Sequence, residues 1–306
     1  MTYLKVTGEG TTWINLIDPT PIDIEGLRRT LPFIHPLNLE DLLSATERPK
    51  IDVQTDYLYI TLHFPLWDVN NRISRPYEID FIVGKNVLVT AHDGRLNMLM
   101  NLFDGCRDEA DVRGQMLQGT PGHAFYMILD KLVDHLFPML RKVDGNLRAI
   151  ENNIFTTDGQ RIIQDVAVLR RDIISLRRII RQQLPIVEQM AKMDNAILRG
   201  GMEHYFDDIV DHLNRARDII DEDAEVVASL SDTADKLLSH RINGVIRILT
   251  VFSAIMLPLT FISSVYGMNL INLPLAEHPN SFWILSGGML LLAVGMLLFF
   301  RWRKWL

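Results

Sequence analysis

The side chains most able to do chemistry are acids crowded between residues 203 and 235: Glu203, Asp207, Asp208 and Asp211, then Asp218, Asp221, Glu222, Asp223 and Glu225, then Asp232 and Asp235. Within that stretch the only basic residues are Arg215 and Arg217. A charge run on one helix is ordinarily a solvated face. In an assembly of several copies set side by side, the same acids would repel one another until divalent cations neutralised them. His204, Asp208 and His212 add a second pattern, because residues four apart share one helix face. They either belong to a transition-metal site or coincide on a polar surface.

A different chemistry begins where the acids end. Residues 248–266 carry no charge, and at about 1.5 Å per residue they can cross roughly 30 Å of hydrocarbon. Asn243, Ile246, Thr250, Ser253, Leu257, Thr260 and Ser264 recur at spacings of three or four, so they share one side, the more polar one. Their hydroxyls read either as glue between membrane helices or as a pore wall. In the second reading Ile246, Leu249 and Leu257 are apolar constrictions, and several subunits must surround the pore, because two spans cannot enclose one. The first span ends at Tyr266-Gly267-Met268-Asn269, which composition alone leaves open between a plain helix end closed by a left-handed Gly267 and a functional end of the span. Residues 282–300 form a second apolar segment, and RWRKWL follows it.

The elements that must position these groups follow from periodicity. No strong breaker except Gly244 separates Met202 from the first span, so one helix, about 90 Å long if it reaches residue 264, is expected to join the soluble part to the membrane. Its apolar seam runs through Phe206, Ile209, Leu213, Ala216, Ile220, Val227, Leu230, Ala234 and Leu237, with Asp223 interrupting it. Upstream, one helix is expected over residues 122–153, with Pro138 as the place for a kink. A second is expected over residues 160–193, striped by Ile162, Val166, Leu169, Ile173, Leu176 and Ile180. Before residue 121 the chain mixes β-rich runs with short helices, for which Asp23 and Asn38 are expected N-caps. His63 and His92 lie in strand-like runs and read as structural histidines. An α+β class results: an α/β domain with a largely antiparallel sheet over residues 1–120, helices over 121–245, and a two-span domain over 246–306 with an external loop at 267–281.

Composition narrows the classes. A net charge of −7 over 306 residues argues against nucleic-acid binding and favours cationic partners. Cys106 stands alone, so neither an intrachain disulfide nor a cysteine metal cluster can form. The start, MTYLKVTGEG, lacks a basic segment followed by an apolar core, so the soluble part is expected in the cytoplasm. Arginine and lysine flank the two spans and avoid the connection between them, which places both termini inside. No Walker loop, GxGxxG after a strand or nucleophile elbow occurs, and no acid/base constellation suggests an enzyme.

The sequence resembles the CorA-type magnesium transporter family. The resemblance is carried by Tyr266-Gly267-Met268-Asn269 at the end of the first span, MLPLTF before it and the basic tail ending KWL. It extends to Arg48-Pro49-Lys50 ahead of YLYITL, and to Tyr205-Phe206-Asp207-Asp208 with Asp211-His212. It implies a homopentamer in the inner (plasma) membrane, with a cytoplasmic α/β/α funnel and a long stalk helix continuous with the pore-lining span. It also implies a filter made of Gly267, Met268 and Asn269, suited to hydrated Mg2+ through neutral oxygens. Asn243, Ile246, Leu249, Ser253, Leu257 and Thr260 fall on the pore side. Asp208 falls on a regulatory divalent-ion position whose acidic partner comes from the funnel, with Asp93 or Asp104 as candidates. Family members often carry an acid directly after Met-Pro in the outer loop; here Glu277 stands nearby in Leu273-Pro274-Leu275-Ala276-Glu277. The resulting expectation is a Mg2+ channel or transporter, open also to Co2+ or Ni2+, in which Mg2+ is both cargo and regulator. The alternatives are a transition-metal transporter of the ZntB type and a membrane-anchored ion sensor that conducts nothing.

Overall fold

The computed structural model describes residues 3–44, 48–155, 159–193, 195, 197–198, 202–268, 274, 278–303 and 305. They fall into two compact units, Met1–Ser231 and Asp232–Leu306. In chain order the first unit holds β1 (Leu4–Thr7), β2 (Thr12–Ile17), α1 (Pro21–Thr30), α2 (Pro36–Asp41), β3 (Lys50–Val53), β4 (Tyr57–Asp68), β5 (Ile73–Gly84) and β6 (Val87–His92). It continues through α3 (Asn97–Asp108), α4 (Ala110–Leu117), α5 (Pro121–Asp134), α6 (Leu136–Asn153) and α7 (Gly159–Ala191). Helix α8 (Glu203–Tyr266) begins in this unit and ends in the second, which also holds α9 (Ser281–Trp302).

The strands form one sheet in the order β1-β2-β6-β5-β4-β3. The expected antiparallel pairing holds except between β2 and β6, which run parallel. That pairing requires a long crossover, and α1, α2 and the β3–β5 strands supply it. The hairpin of β4 and β5 pairs Tyr57 with Gly84 through to Asp68 with Ile73. Its turn is closed by Asp68, whose carboxylate accepts from the backbone amides of Asn70 and Asn71 at 3.0 and 3.2 Å.

Alternation along the strands buries both faces. One carries Ile14, Leu16, Tyr57, Tyr59, Ile82 and Val89 against α1 and α2. The other carries Trp13, Ile60, Phe81 and Leu88, with the Phe81 ring meeting Phe125 of α5 edge-on at 5.0 Å and Trp13 meeting Phe103 of α3 at 5.0 Å. The expected α/β/α layering of the first unit therefore forms. The α7 stripe from Ile162 to Ile180 is buried as anticipated, and so is the α8 seam from Phe206 to Ala234, with Asp223 buried inside it at 6% exposure, while Leu237 at its end is only partly buried.

Several local expectations are corrected. Helix α1 is capped by Thr20, not Asp23. Asp23 is the third helical residue and completes a capping box, accepting from the Thr20 amide at 3.1 Å. His35, not Asn38, caps α2, its Nδ1 accepting from the Leu37 amide at 3.2 Å. Asn38 is buried instead, where its side chain accepts from the Tyr57 hydroxyl at 2.7 Å. The single helix expected over 122–153 is two, α5 and α6. Pro138 is the cause, because a proline ring clashes with the carbonyl four residues back, that of Asp134, where α5 stops. Gly267 does not adopt a left-handed conformation; the only glycine at positive φ among the described residues is Gly94. Helix α8 ends instead in a tightened turn, the Gly267 amide being shared between the Ser263 and Ser264 carbonyls at 3.0 and 3.2 Å.

Candidate metal centre

Helix α5 presents Tyr126, Asp130 and Asp134 at spacings of four, and α8 presents Tyr205, Asp208 and His212. The two stripes meet. The Tyr126 and Tyr205 rings stand 4.9 Å apart. His212 lies edge-on to Phe137 at 5.9 Å, with Nδ1 3.7 Å from Asp134 and Nε2 3.9 Å from Asp208. One ligand atom each from Asp130, Asp134 and His212 lie within 4.8 Å of one another.

The electrostatics of this cluster suit a cation. Burial, then the neighbouring carboxylate of Asp134, raises the Asp130 pKa, and Asp208 adds to the effect. Tyr126 is raised for the same reasons, burial first and then Asp130 and Asp208. Asp134 and Asp208 are about half exposed, so a hydrated ion can reach them. The oxygen ligands fit Mg2+, which keeps most of its water, whereas the imidazole of His212 favours a softer ion. Of the expected His204-Asp208-His212 face, the structure joins Asp208 to His212 and supplies further ligands from α5. Asp130 and Asp134 were legible in the sequence as a four-residue repeat, but nothing there showed which helix they face.

The other expected acids are placed differently. Asp93, at the end of β6, is ion-paired with Arg95. Burial would raise its pKa, but hydrogen bonds from Arg95 and Tyr77 hold it below the usual carboxylate range. Asp104 pairs with Arg107 one turn along α3 at 2.9 Å. Part of the acidic stripe of α8 is neutralised from α7, where Arg177 and Arg181 reach Asp221 at 2.5 and 3.0 Å. His92 behaves as a structural residue. It accepts from the Gly94 amide at 3.0 Å, lies 2.9 Å from the Asn15 side-chain oxygen, and has its pKa pushed down to about 4 by burial.

In the second unit, Asn243, Ile246, Leu249, Ser253, Leu257 and Thr260 are all exposed. Thr250 and Thr260 each donate to the carbonyl one turn back, Ile246 and Met256, both at 2.8 Å. Each hydroxyl thus keeps its acceptor face for the surroundings. Thr260 and Ser264 also border an open groove of about 470 Å³ with Met289 of α9. The Tyr266 hydroxyl donates to the Pro274 carbonyl at 3.1 Å, tying the end of α8 to the connection that follows. Gly267 and Met268 are described and exposed; Asn269 and Glu277 lie outside the described residues. Helices α8 and α9 each contain a window of mean hydropathy 2.2, long and apolar enough to cross a membrane.

A family model described as CorA-like Mg2+ transporter protein matches residues 8–303. The cobalt/magnesium transport protein CorA of Thermotoga maritima is 27% identical over 298 residues, spanning 96% of this chain and 83% of the relative. The zinc transport protein ZntB of Photorhabdus laumondii is 25% identical over 318 residues, spanning 94% and 92%. The structure of the CorA magnesium transporter from Methanocaldococcus jannaschii superimposes with a TM-score of 0.82 at 20% identity, covering 97% of this chain and 92% of that one.

Proposed function

Because the chain belongs to the CorA-like Mg2+ transporter family, and is therefore a divalent metal ion transporter and not an enzyme, we propose that its cargo is Mg2+. The observation that carries the reading is the family match from residue 8 to residue 303, which takes in both apolar helices and the Gly267-Met268 end of α8. In this reading the protein is a homopentamer in the inner membrane with both termini in the cytoplasm. Gly267, Met268 and Asn269 select the hydrated ion at the outer mouth. The side of α8 bearing Asn243, Ile246, Leu249, Ser253, Leu257 and Thr260 lines the path, its spare hydroxyl lone pairs facing water, and Glu277 contributes charge outside. Internal Mg2+ is also the regulator. Bound near Asp208, it relieves the repulsion among Asp130, Asp134 and Asp208 and so favours the closed arrangement of subunits.

Uptake into liposomes reconstituted with the full chain tests this. Mg2+ flux that falls as luminal Mg2+ rises supports the proposal, and absence of Mg2+ flux with retained Zn2+ flux overturns it. The latter is the second reading, zinc transport on the same scaffold, which the likeness to ZntB and the imidazole of His212 favour.

A further inference from the structure

Asp223 interrupts the apolar seam of α8 between Ile220 and Val227, and the α5–α8 centre does not use it. It is buried, and its Oδ2 has no hydrogen-bond partner among the described residues. Folded proteins rarely keep such a group, because a buried carboxylate without a partner loses its hydration and gains nothing in return. The residue lines a cleft of about 720 Å³ between α6 and α8, with Phe137, Leu140 and Leu147 on one side and Ile219 and Val226 on the other.

The charges around the cleft leave Asp223 alone. From α6 it is faced by Arg141, Asp144, Arg148 and Glu151, and from α8 by Arg215 and Glu222. Arg148 is held by Asp144 at 3.0 Å, and the Arg215 guanidinium lies over the Phe137 ring at 5.7 Å. On the α7 side, Arg177 and Arg181 are taken up by Asp221. Ionised Asp223 therefore meets the repulsion of Asp144 and Glu222 in a poorly hydrated seam, and the pull of Arg148 is smaller. Carrying a proton, the same side chain is a neutral acid, which an apolar seam tolerates far better.

We propose that Asp223 is a proton-operated joint between α6 and α8. Protonated, it lets the two helices close on the cleft; ionised, it draws water into the cleft and holds them apart. Helix α8 continues into an apolar span, so the joint bears on transport. On the transport reading given above, on which this consequence rests, acid acts in the direction of internal Mg2+: it relieves carboxylate repulsion and favours the closed arrangement.

Asp223→Asn, which keeps the shape of the neutral acid, is compared with the wild-type full chain at pH 5 and pH 7.5 by two readouts. Hydrogen–deuterium exchange of the peptides covering α6 tests the joint itself and needs no transport. At pH 7.5 these amides are expected to exchange at least about threefold faster in the wild type than in Asp223→Asn, and at equal rates at pH 5. Comparing the two proteins at one pH cancels the intrinsic pH dependence of exchange. Mg2+ flux into liposomes tests the consequence: at pH 7.5 Asp223→Asn should need at least about threefold less luminal Mg2+ for half-inhibition, a difference that closes at pH 5. Protonation of Asp130 and Asp208 affects both proteins alike, so it does not mimic this result. Asp144→Asn removes a repelling carboxylate and should move the pH midpoint of the α6 change downward, which keeps the joint testable should Asp223→Asn unfold. Equal α6 exchange in wild type and Asp223→Asn at pH 7.5, the same difference at both pH values, or equal half-inhibition at pH 7.5 overturns the proposal. A pH-dependent difference in α6 exchange with no Mg2+ flux in either protein supports the joint and overturns the transport reading instead.

Discussion

His212 Nε2 and Asp208 Oδ1 lie 3.9 Å apart across one turn of α8, and the other nitrogen of the same ring lies 3.7 Å from Asp134 of α5. One imidazole thus sits between carboxylates from two helices that are some eighty residues apart in the chain. Because Mg2+ uses oxygens and softer ions use nitrogen, the two α8 ligands should separate in their effects. Asp208→Ala is expected to raise the internal Mg2+ needed for half-inhibition of uptake on the order of tenfold. His212→Ala should leave Mg2+ inhibition within about twofold while weakening inhibition by Co2+. Liposome flux against luminal ion concentration measures both, and equal effects of the two variants would count against an oxygen-held regulator.

Under the proposed function Asn269, three residues past the last residue of α8, is expected to hold hydrated Mg2+ through its amide oxygen. Asn269→Ala should abolish Mg2+ uptake without changing the oligomer seen by size-exclusion chromatography with light scattering. Unaltered uptake would falsify the filter assignment.

Asp172 of α7 illustrates a purely structural carboxylate. It is 3% exposed, and Oδ1 accepts from the Ser74 amide at 2.6 Å, while Ser175 donates to the Ser74 carbonyl at 2.5 Å. Asp172→Ala leaves a buried backbone amide unpaired and is expected to cost about 1–3 kcal/mol of stability. Thermal unfolding of the full chain in detergent should show a lower midpoint, with transport per folded protein unchanged.

Asp223 makes stability depend on pH. Burial first, then the Asp144 and Glu222 carboxylates, raise its pKa from 3.8 to about 6, against a smaller opposing effect of Arg148. The folded chain holds this proton more tightly than the unfolded chain. The contribution to stability is therefore fully present below about pH 4 and is lost as pH rises through about 6. The shift corresponds to about 3 kcal/mol at most. Asp223→Asn should gain on the wild type in unfolding midpoint between pH 4 and pH 7 and run parallel above that. A constant difference across this range would remove Asp223 as the titrating group.

Much of the fold was legible because its signals are local. The α7 stripe and the α8 seam come from a period of three to four residues, β2 and the β4–β5 hairpin from alternation and the Asn70-Asn71 turn, and both spans from uninterrupted apolarity. Helices α3 and α4 passed unnoticed. So did β1, a four-residue strand whose pairing with β2 gives it its identity. Pro138 marked the place of a kink, and the structure turns it into a split at His135 because the clash falls a fixed four residues upstream.

The two polar sites divide differently. The sequence by itself determined that acids and an imidazole recur along α8 and that a charge-free span follows, because helical spacing and hydropathy are properties of neighbouring residues. Only the tertiary structure decided that Asp130 and Asp134 face His212, that Arg177 and Arg181 take Asp221, and that His63 meets Glu78 across a strand pair. These meetings depend on which helix faces packs together and on the strand register. Both are set by burying apolar surface between segments far apart in the chain, which no local spacing encodes.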